Sequence, residues 1–329
     1  MGKADTAVKT WLNNNERFAD LFNGTVFGGE QIVLPDELED LDRETDILAT
    51  DKTGKERSFR RHRDLVKRWK KKVDLSVLAC EAQDKIHYAM PVRGMFNNGL
   101  FYTDQIREIW RQYEQKNKRK SASEKEKLTE GEFLSRFRKG DRIYPIINLV
   151  FYYNLEKWDG ATDLYDMFQL NDVLSCERIL RKYIPNYRIN LIDAGNMGSI
   201  KKFHSDLQQI FGVLQCRGKK DDLHRYIQEH RKYFENIDLE TYQALRHFLH
   251  SERALKDMKD SKEETINMCK ALEELYNDGV TKGREEGIAA FIKSCCNLGV
   301  SKDGAVSQLV LNYKMDEKEA RLAAEEYWS

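Results

Sequence analysis

The 329-residue sequence predicts an α/β fold, a mixed sheet flanked by helices, followed by an all-α C-terminal tail. Three observations carry this prediction. Residues 143–153 (IYPIINLVFYY) form an almost unbroken apolar, β-branched and aromatic run, the pattern of a central strand buried on both faces. Two further runs, at roughly 60–69 and 73–82, flank Lys70-Lys71-Lys72 and read as a hairpin. The last 75 residues carry helix caps and no strand signal. The expected organisation is therefore an α/β domain over residues 1–255 and a helical module over 256–329.

Along the chain, residues 5–22 predict one or two short helices, with an apolar stripe of Phe18, Leu21 and Phe22 ending at Asn23-Gly24. Gly28-Gly29 leads into Gln31-Ile32-Val33-Leu34, expected as a strand stopped by Pro35, and the acidic stretch to about residue 55 is expected as a loop. After the hairpin, Pro91 suits the first turn of a helix. Met95, Gly99, Tyr102, Ile106, Ile109 and Tyr113 then recur at steps of four and three, defining its expected buried face. Within it Asn97-Asn98-Gly99 is weakly helical. The polar stretch 114–130 is expected as a solvated helix end and loop.

Beyond the central strand, Trp158-Asp159-Gly160 marks a turn and residues 187–192 (YRINLI) a further strand. Phe203, Leu207, Ile210, Phe211 and Leu214 share a helical face, and Leu223, Ile227 and Phe234 begin the next. In the tail, Ser261 and Glu264 have capping-box spacing for a helix ending at Gly279. A second helix, carrying Ile288, Ile292 and Cys295, closes at Gly299, and Ser301 and Asp316 cap two more.

Fifty-five Lys and Arg balance 55 Asp and Glu, so net charge selects no partner. The distribution is uneven. Residues 57–72 hold nine Lys or Arg and one acid, Asp64, whereas residues 36–46 hold seven acids and one base, Arg43. A basic cluster around a single carboxylate fits a phosphate-backbone substrate; the competing reading is a strand edge protected by charge. The six cysteines lack metal-ligand or CxxC spacing and read as buried thiols of a cytoplasmic protein. Lys3, Asp5 and Lys9 interrupt any apolar leader, and no run has membrane-spanning length, so no membrane partner is expected.

Within the hairpin, a turn centred near Lys72-Val73 would set Asp64 opposite Glu81, with Gln83 on the face of Glu81. Hard carboxylate oxygens on neighbouring strands are ligands for a divalent cation, and such a site suits phosphodiester hydrolysis. The competing reading is a pair of solvated strand carboxylates. His62 and His87 flank the motif but are read as surface or hydrogen-bonded residues, and Trp69, Trp110 and Trp158 as core packing.

The order of motifs resembles the PD-(D/E)XK nuclease superfamily, within it the bacterial recombination-promoting nuclease (Rpn) family, also described as YhgA-like putative transposases. The resemblance rests on Arg63-Asp64-Leu65, on residues 78–83 (LACEAQ), on residues 87–93 (HYAMPVR), on residues 144–153 (YPIINLVFYY) with Trp158, and on residues 187–193 (YRINLID), and it covers roughly residues 5–250. It implies a restriction-endonuclease-like mixed sheet with the active site on the hairpin. It also implies Asp64 and Glu81 as the catalytic carboxylates, with Gln83 at the position often held by Lys in the superfamily.

On that reading Asp64, Glu81 and the backbone carbonyl of Ala82 would hold Mg²⁺ or Mn²⁺, and Gln83 would orient water or a phosphate oxygen. Asp5 is the first-helix acid that best matches the opening motif, and Asp20 is its alternative. Arg61, Arg63, Lys67 and Arg68 would grip the DNA backbone. Because Gln offers only neutral hydrogen bonds, a non-cleaving nucleic-acid-binding protein is the alternative. The tail is expected to pack on the core or to form a homo-oligomer. Its Leu298-Gly299-Val300-Ser301 turn resembles that of a helix-turn-helix, but the following helix carries few base-reading side chains.

Overall fold

The computed structural model describes residues 3–41, 47–50, 56–59, 65–71, 73–80, 86–121, 127–169, 177–251, 255, 257–258 and 265–328. The chain divides into two compact units, residues 1–230 with 238–251, and residues 231–237 with 252–329.

The first unit opens with α1 (Lys3–Leu12) and α2 (Asn15–Val26). The Asn14 side chain caps α2 by accepting from the backbone N–H of Glu16 and Arg17. Strands β1 (Leu38–Asp40), β2 (Ile47–Thr50), β3 (Glu56–Phe59), β4 (Leu65–Trp69) and β5 (Val73–Cys80) follow. Next come α3 (Met90–Lys118), α4 (Glu130–Ser135), β6 (Ile146–Tyr152), α5 (Glu177–Leu180) and β7 (Asn190–Asp193). Helices α6 (Leu207–Cys216), α7 (Lys220–Glu229) and α9 (Leu239–Phe248) complete the unit, while α8 (Arg231–Phe234) belongs to the second.

One five-stranded sheet, in the order β1-β4-β5-β6-β7, organises the first unit; β5, β6 and β7 run parallel, and β4 is antiparallel to both β1 and β5. Strand β6 is buried on both faces, as the sequence predicts. Its Phe151 stacks near Phe211 and Phe248, on the face covered by α6 and α9. On the other face Val150 and Tyr152 cluster with Met90, Trp158 and Ile189. Helix α3 therefore begins beside the end of β6. It runs back along the strand, because Gln105 bonds both backbone groups of Tyr144, just before β6 starts.

Several expectations change. Gln31–Leu34 is not a strand: the Asn23 side chain, itself fully buried, takes the ladder's role by accepting from the backbone N–H of Ile32 and Val33 and donating to the carbonyl of Val33. The acidic segment expected as a loop instead supplies β1 and β2, the latter paired antiparallel with β3. The buried face of α3 is rotated from the predicted one. Gly94, Asn97, Phe101, Gln105, Trp110 and Tyr113 face inward, while Met95 is 43 % exposed. A Cβ on Gly94 would stand 2.9 Å from the Tyr187 ring, so a close approach and a buried Asn97 explain residues that apolar periodicity had misplaced.

The second unit is helical. The Ser261–Glu264 capping box lies outside the described residues. Helix α10 (Met268–Asn297) starts on an Asn267 cap and runs uninterrupted through Gly279, so the two helices expected there are one. A glycine costs an exposed helix only about 1 kcal/mol relative to Ala, too little to end it without a competing cap. The cap stands at Gly299, in the left-handed region, where Val300 N–H reaches Cys295 and Gly299 N–H reaches Cys296. Ser301 and Asp316 cap α11 (Lys302–Tyr313) and α12 (Glu317–Tyr327), as predicted. Ile288, Ile292, Val306, Leu309, Ala320 and Ala324 form the core of this three-helix group.

Candidate active site

The sheet places four strand ends at one edge. Strands β5, β6 and β7 pair in parallel, Cys80 with Tyr152 and Tyr152 with Asp193, and all three finish there. Because β4 is antiparallel to β5, its start at Leu65 lies toward the same edge. Open α/β sheets bind ligands outside the carboxyl ends of their parallel strands. Asp64 immediately precedes Leu65 in the chain, and Glu81 immediately follows Cys80.

Asp64, Glu81, Ala82, Gln83, Arg61, Arg63 and His62 lie outside the described residues. Asp5 falls in α1, with its side chain likewise outside the description. The hairpin register differs from the expected one. Leu65 pairs with Val77 and Trp69 with Val73, which centres the turn on Lys71 rather than on Lys72-Val73. A turn one and a half positions earlier moves the partner of Leu65 back from Cys80 to Val77 and lets β5 run past the start of β4.

Two of the proposed phosphate contacts are described. Lys67 is a correction. Its side chain is 1 % exposed, its Nζ is ion-paired with Asp40, and it sits 5.5 Å from the centre of the Phe18 ring. Register explains this, since Lys67 pairs directly with Asp40 across β1–β4, on the face covered by α2. A buried, paired ammonium cannot meet a phosphate. Arg68, on the opposite face, is half-buried with its guanidinium 4.6 Å from the Tyr144 ring centre.

Asp20, the alternative first-helix acid, is also accounted for. It is 3 % exposed and accepts from the backbone N–H of His204 and Ser205 and from Ser205 Oγ. That is an anchor for the segment entering α6. One helical turn earlier, Arg17 grips Asp206 through Nε at 3.0 Å and reaches Thr241 at 2.9 Å, with Asp238 also paired. Burial would lower the Arg17 pKa, but Asp206 and then Asp238 outweigh it and raise the pKa above its ordinary value.

The described rim of the edge contains acids that sequence reasoning had treated only as parts of turns or strands. Asp193, ending β7, accepts from the Trp158 backbone N–H at 3.1 Å and from Asn196 at 2.9 Å, which ties the 154–160 loop to the sheet. The Tyr88 hydroxyl lies 3.5 Å from Asp159, and that carboxylate is the first cause of a raised Tyr88 pKa. The position of Asp193 at the end of a strand was its available signal; Tyr88 and Asp159 meet only through tertiary structure. Trp69, Trp110 and Trp158 are core residues as expected, each with its indole N–H bonded, to Glu37, Glu114 and Gly160 respectively. His87 is exposed. Among the described residues no three His, Cys, Asp or Glu side chains come together to hold a metal ion, and no helix is long and apolar enough to cross a membrane.

Residues 132–245 fit the family model described as "Putative transposase, YhgA-like", in agreement with the resemblance carried by the sequence motifs. The matched segment spans α4, the parallel strands β6 and β7 and the helices through most of α9, and it does not include the hairpin. No curated protein and no solved structure matches the chain.

Proposed function

We propose, taking the YhgA-like family match over residues 132–245 as the premise, that this protein is a metal-dependent DNA endonuclease with a restriction-endonuclease-like core. The observation that carries the reading is the sheet edge: β4 begins and β5, β6 and β7 end toward one side of the sheet. Asp64 and Glu81 are each one peptide bond from a strand end at that edge.

The donor set of Asp64, Glu81 and the Ala82 carbonyl consists of hard oxygens, which suits Mg²⁺ or Mn²⁺. Such an ion, when bound, lowers the pKa of water and stabilises charge developing on a phosphoryl oxygen. The chain's own part is to fix and orient. The carboxylates of Asp64 and Glu81 hold the charge of the site, Gln83 donates or accepts a neutral hydrogen bond to water or phosphate, and Arg61, Arg63 and Arg68 position the backbone. Gln83 lacks the positive charge of a lysine, so it offers weaker stabilisation of a developing anion.

Plasmid cleavage in Mg²⁺, Mn²⁺, Ca²⁺ and EDTA, with Asp64→Ala and Glu81→Ala alongside, tests the reading. Metal-dependent nicking lost in both variants is expected. Salt-sensitive DNA retention without cleavage in any metal would favour the non-cleaving binder instead. The exposed Leu298, Leu311 and Leu322 support self-association through the tail. A monomeric mass in analytical ultracentrifugation would sink that part.

A further inference from the structure

The crossover from β6 to β7 carries a second surface. Because the two strands are parallel, the chain leaving the sheet edge at Tyr152 must return along the sheet before Asn190 can begin β7. Two stretches of that return hold each other, 162–165 and 181–189. The Thr162 carbonyl accepts from the Ile189 N–H at 2.9 Å, the Tyr187 carbonyl from the Leu164 N–H at 3.2 Å, and Asn186 Oδ1 from the Leu164 N–H at 3.1 Å. The Tyr165 hydroxyl reaches the carbonyls of Arg181 and Ile184 at 2.9 and 2.8 Å. The turn that follows α5 is thereby pinned.

What this pinned turn presents is cationic and aromatic. Residues 177–188 (ERILRKYIPNYR) hold four Lys or Arg and one acid, Glu177. Arg178, Arg181 and Lys182 are exposed. The Arg181 guanidinium lies 4.3 Å from the centre of the Tyr165 ring, which stands 6.1 Å from that of Phe168. Tyr183 is 81 % exposed, and Ile179 56 %. Asp163 and Asp166 serve the local fold: Asp163 accepts from the Asp166 N–H at 3.1 Å and Asp166 from the Thr162 N–H at 3.4 Å. Asp163 also sits opposite Arg188 across an isolated bridge, which takes Arg188 out of the surface. Exposed cations on a connection are ordinary, and so is a single exposed ring. Here the most exposed ring directly follows three exposed cations on a fixed turn, so ring and charges are presented together at little ordering cost.

We infer that this surface binds single-stranded DNA, Tyr183 stacking on an unpaired base while Arg178 and Lys182 meet the neighbouring phosphates. Stacking needs the open face of a base, which a duplex keeps covered, and every base offers such a face. The inference rests on the cleavage reading only for the choice of polymer and uses none of the residues at the sheet edge.

The test uses the full-length protein as wild type, Tyr183→Ala, Tyr183→Phe and Arg178→Ala/Lys182→Ala, with Arg107→Ala, an exposed arginine of α3 paired with Asp104, as control. Fluorescence anisotropy of labelled oligothymidine, and of a duplex of equal length, is measured in EDTA over a salt series. Tyr183→Ala should weaken oligothymidine binding about tenfold with an unchanged salt slope and unchanged duplex binding, and Tyr183→Phe should bind as the wild type does. The double variant should flatten the slope of log K against log salt by about 1.4, at about 0.7 per phosphate contact on a single strand. Arg107→Ala should change neither. The surface is overturned if the wild type does not bind oligothymidine, or if Tyr183→Ala and the double variant both bind it as the wild type does. It is equally overturned if Tyr183→Phe is as weak as Tyr183→Ala, or if the duplex loses as much as the single strand. Because the assay holds no metal, a protein that never cleaves can pass it and one that cleaves can fail it.

Discussion

Asp20 and Ser205 are joined twice, through the serine backbone N–H at 2.7 Å and its Oγ at 2.6 Å, with the His204 N–H completing the set at 2.9 Å. The carboxylate therefore satisfies a buried turn. Asp20→Ala should cost about 3 kcal/mol, because a charged acceptor is lost and its donors are left unpaired. Asp20→Asn should cost less and leave cleavage per folded molecule unchanged. Chemical denaturation paired with nicking rates checks both. A stably folded Asp20→Asn protein without cleavage would return Asp20 to the metal site.

Lys67→Met keeps the volume and removes the buried charge. Because the Asp40 side chain is 68 % exposed, it stays solvated when its partner is removed and no charge is left buried, so stability should change by no more than about 1 kcal/mol. DNA affinity and its salt slope should stay as in the wild type. A slope reduced by about one would mean that Lys67 does meet a phosphate.

Gly24 lies in α2 where a Cβ would stand 2.3 Å from the Phe203 ring, itself 1 % exposed. An Ala in a helix ordinarily gains about 0.5–1 kcal/mol over Gly. Here the clash with a packed aromatic should cost about 1–3 kcal/mol and win. Urea unfolding of Gly24→Ala should thus show a lowered midpoint; a raised one would mean that Phe203 gives way freely.

Burial pushes the Asp141 carboxyl up in pKa, but the Arg138 side chain and backbone N–H outweigh it and hold it below its ordinary value of 3.8. A carboxyl depressed in the folded state stabilises fully above its unfolded pKa, and that contribution is lost as pH falls through the folded value. The Arg138–Asp141 clasp should therefore hold at neutral pH and open only in acid. NMR titration of the Asp141 carboxyl should show a midpoint that rises in Arg138→Gln, and equal midpoints would refute the clasp.

What could be read from the residues alone was whatever local periodicity and caps determine. Strand β6, the α2 stripe through Phe18 and Phe22, the Gly299 stop and the Ser301 and Asp316 caps all belong to that class. The errors came where a polar side chain or a close approach replaces an apolar contact. Asn23 substitutes for a strand partner, Asn97 is buried in a helix, Gly94 admits Tyr187, and Lys67 sits inside a sheet opposite Asp40. The motif Asp64…Glu81 was visible as spacing, but its register was not, because a turn among three lysines has no residue that demands one geometry.

Helix α10 has a mechanical consequence. From Tyr276 to Glu286 every side chain is exposed, and the stretch includes Gly279 and Gly283. A span of about 16 Å at 1.5 Å per residue thus buries no side chain, and Arg284, near its far end, reaches the Tyr313 carbonyl at 2.8 Å. Helices without a buried stripe fray readily and open at low free-energy cost. A protease given brief access to the native protein should cut first within this span, between a protected start at Met268 and Cys269 and a protected group beginning at Ile288. The fragment released would then carry α11 and α12 still packed on the last turns of α10.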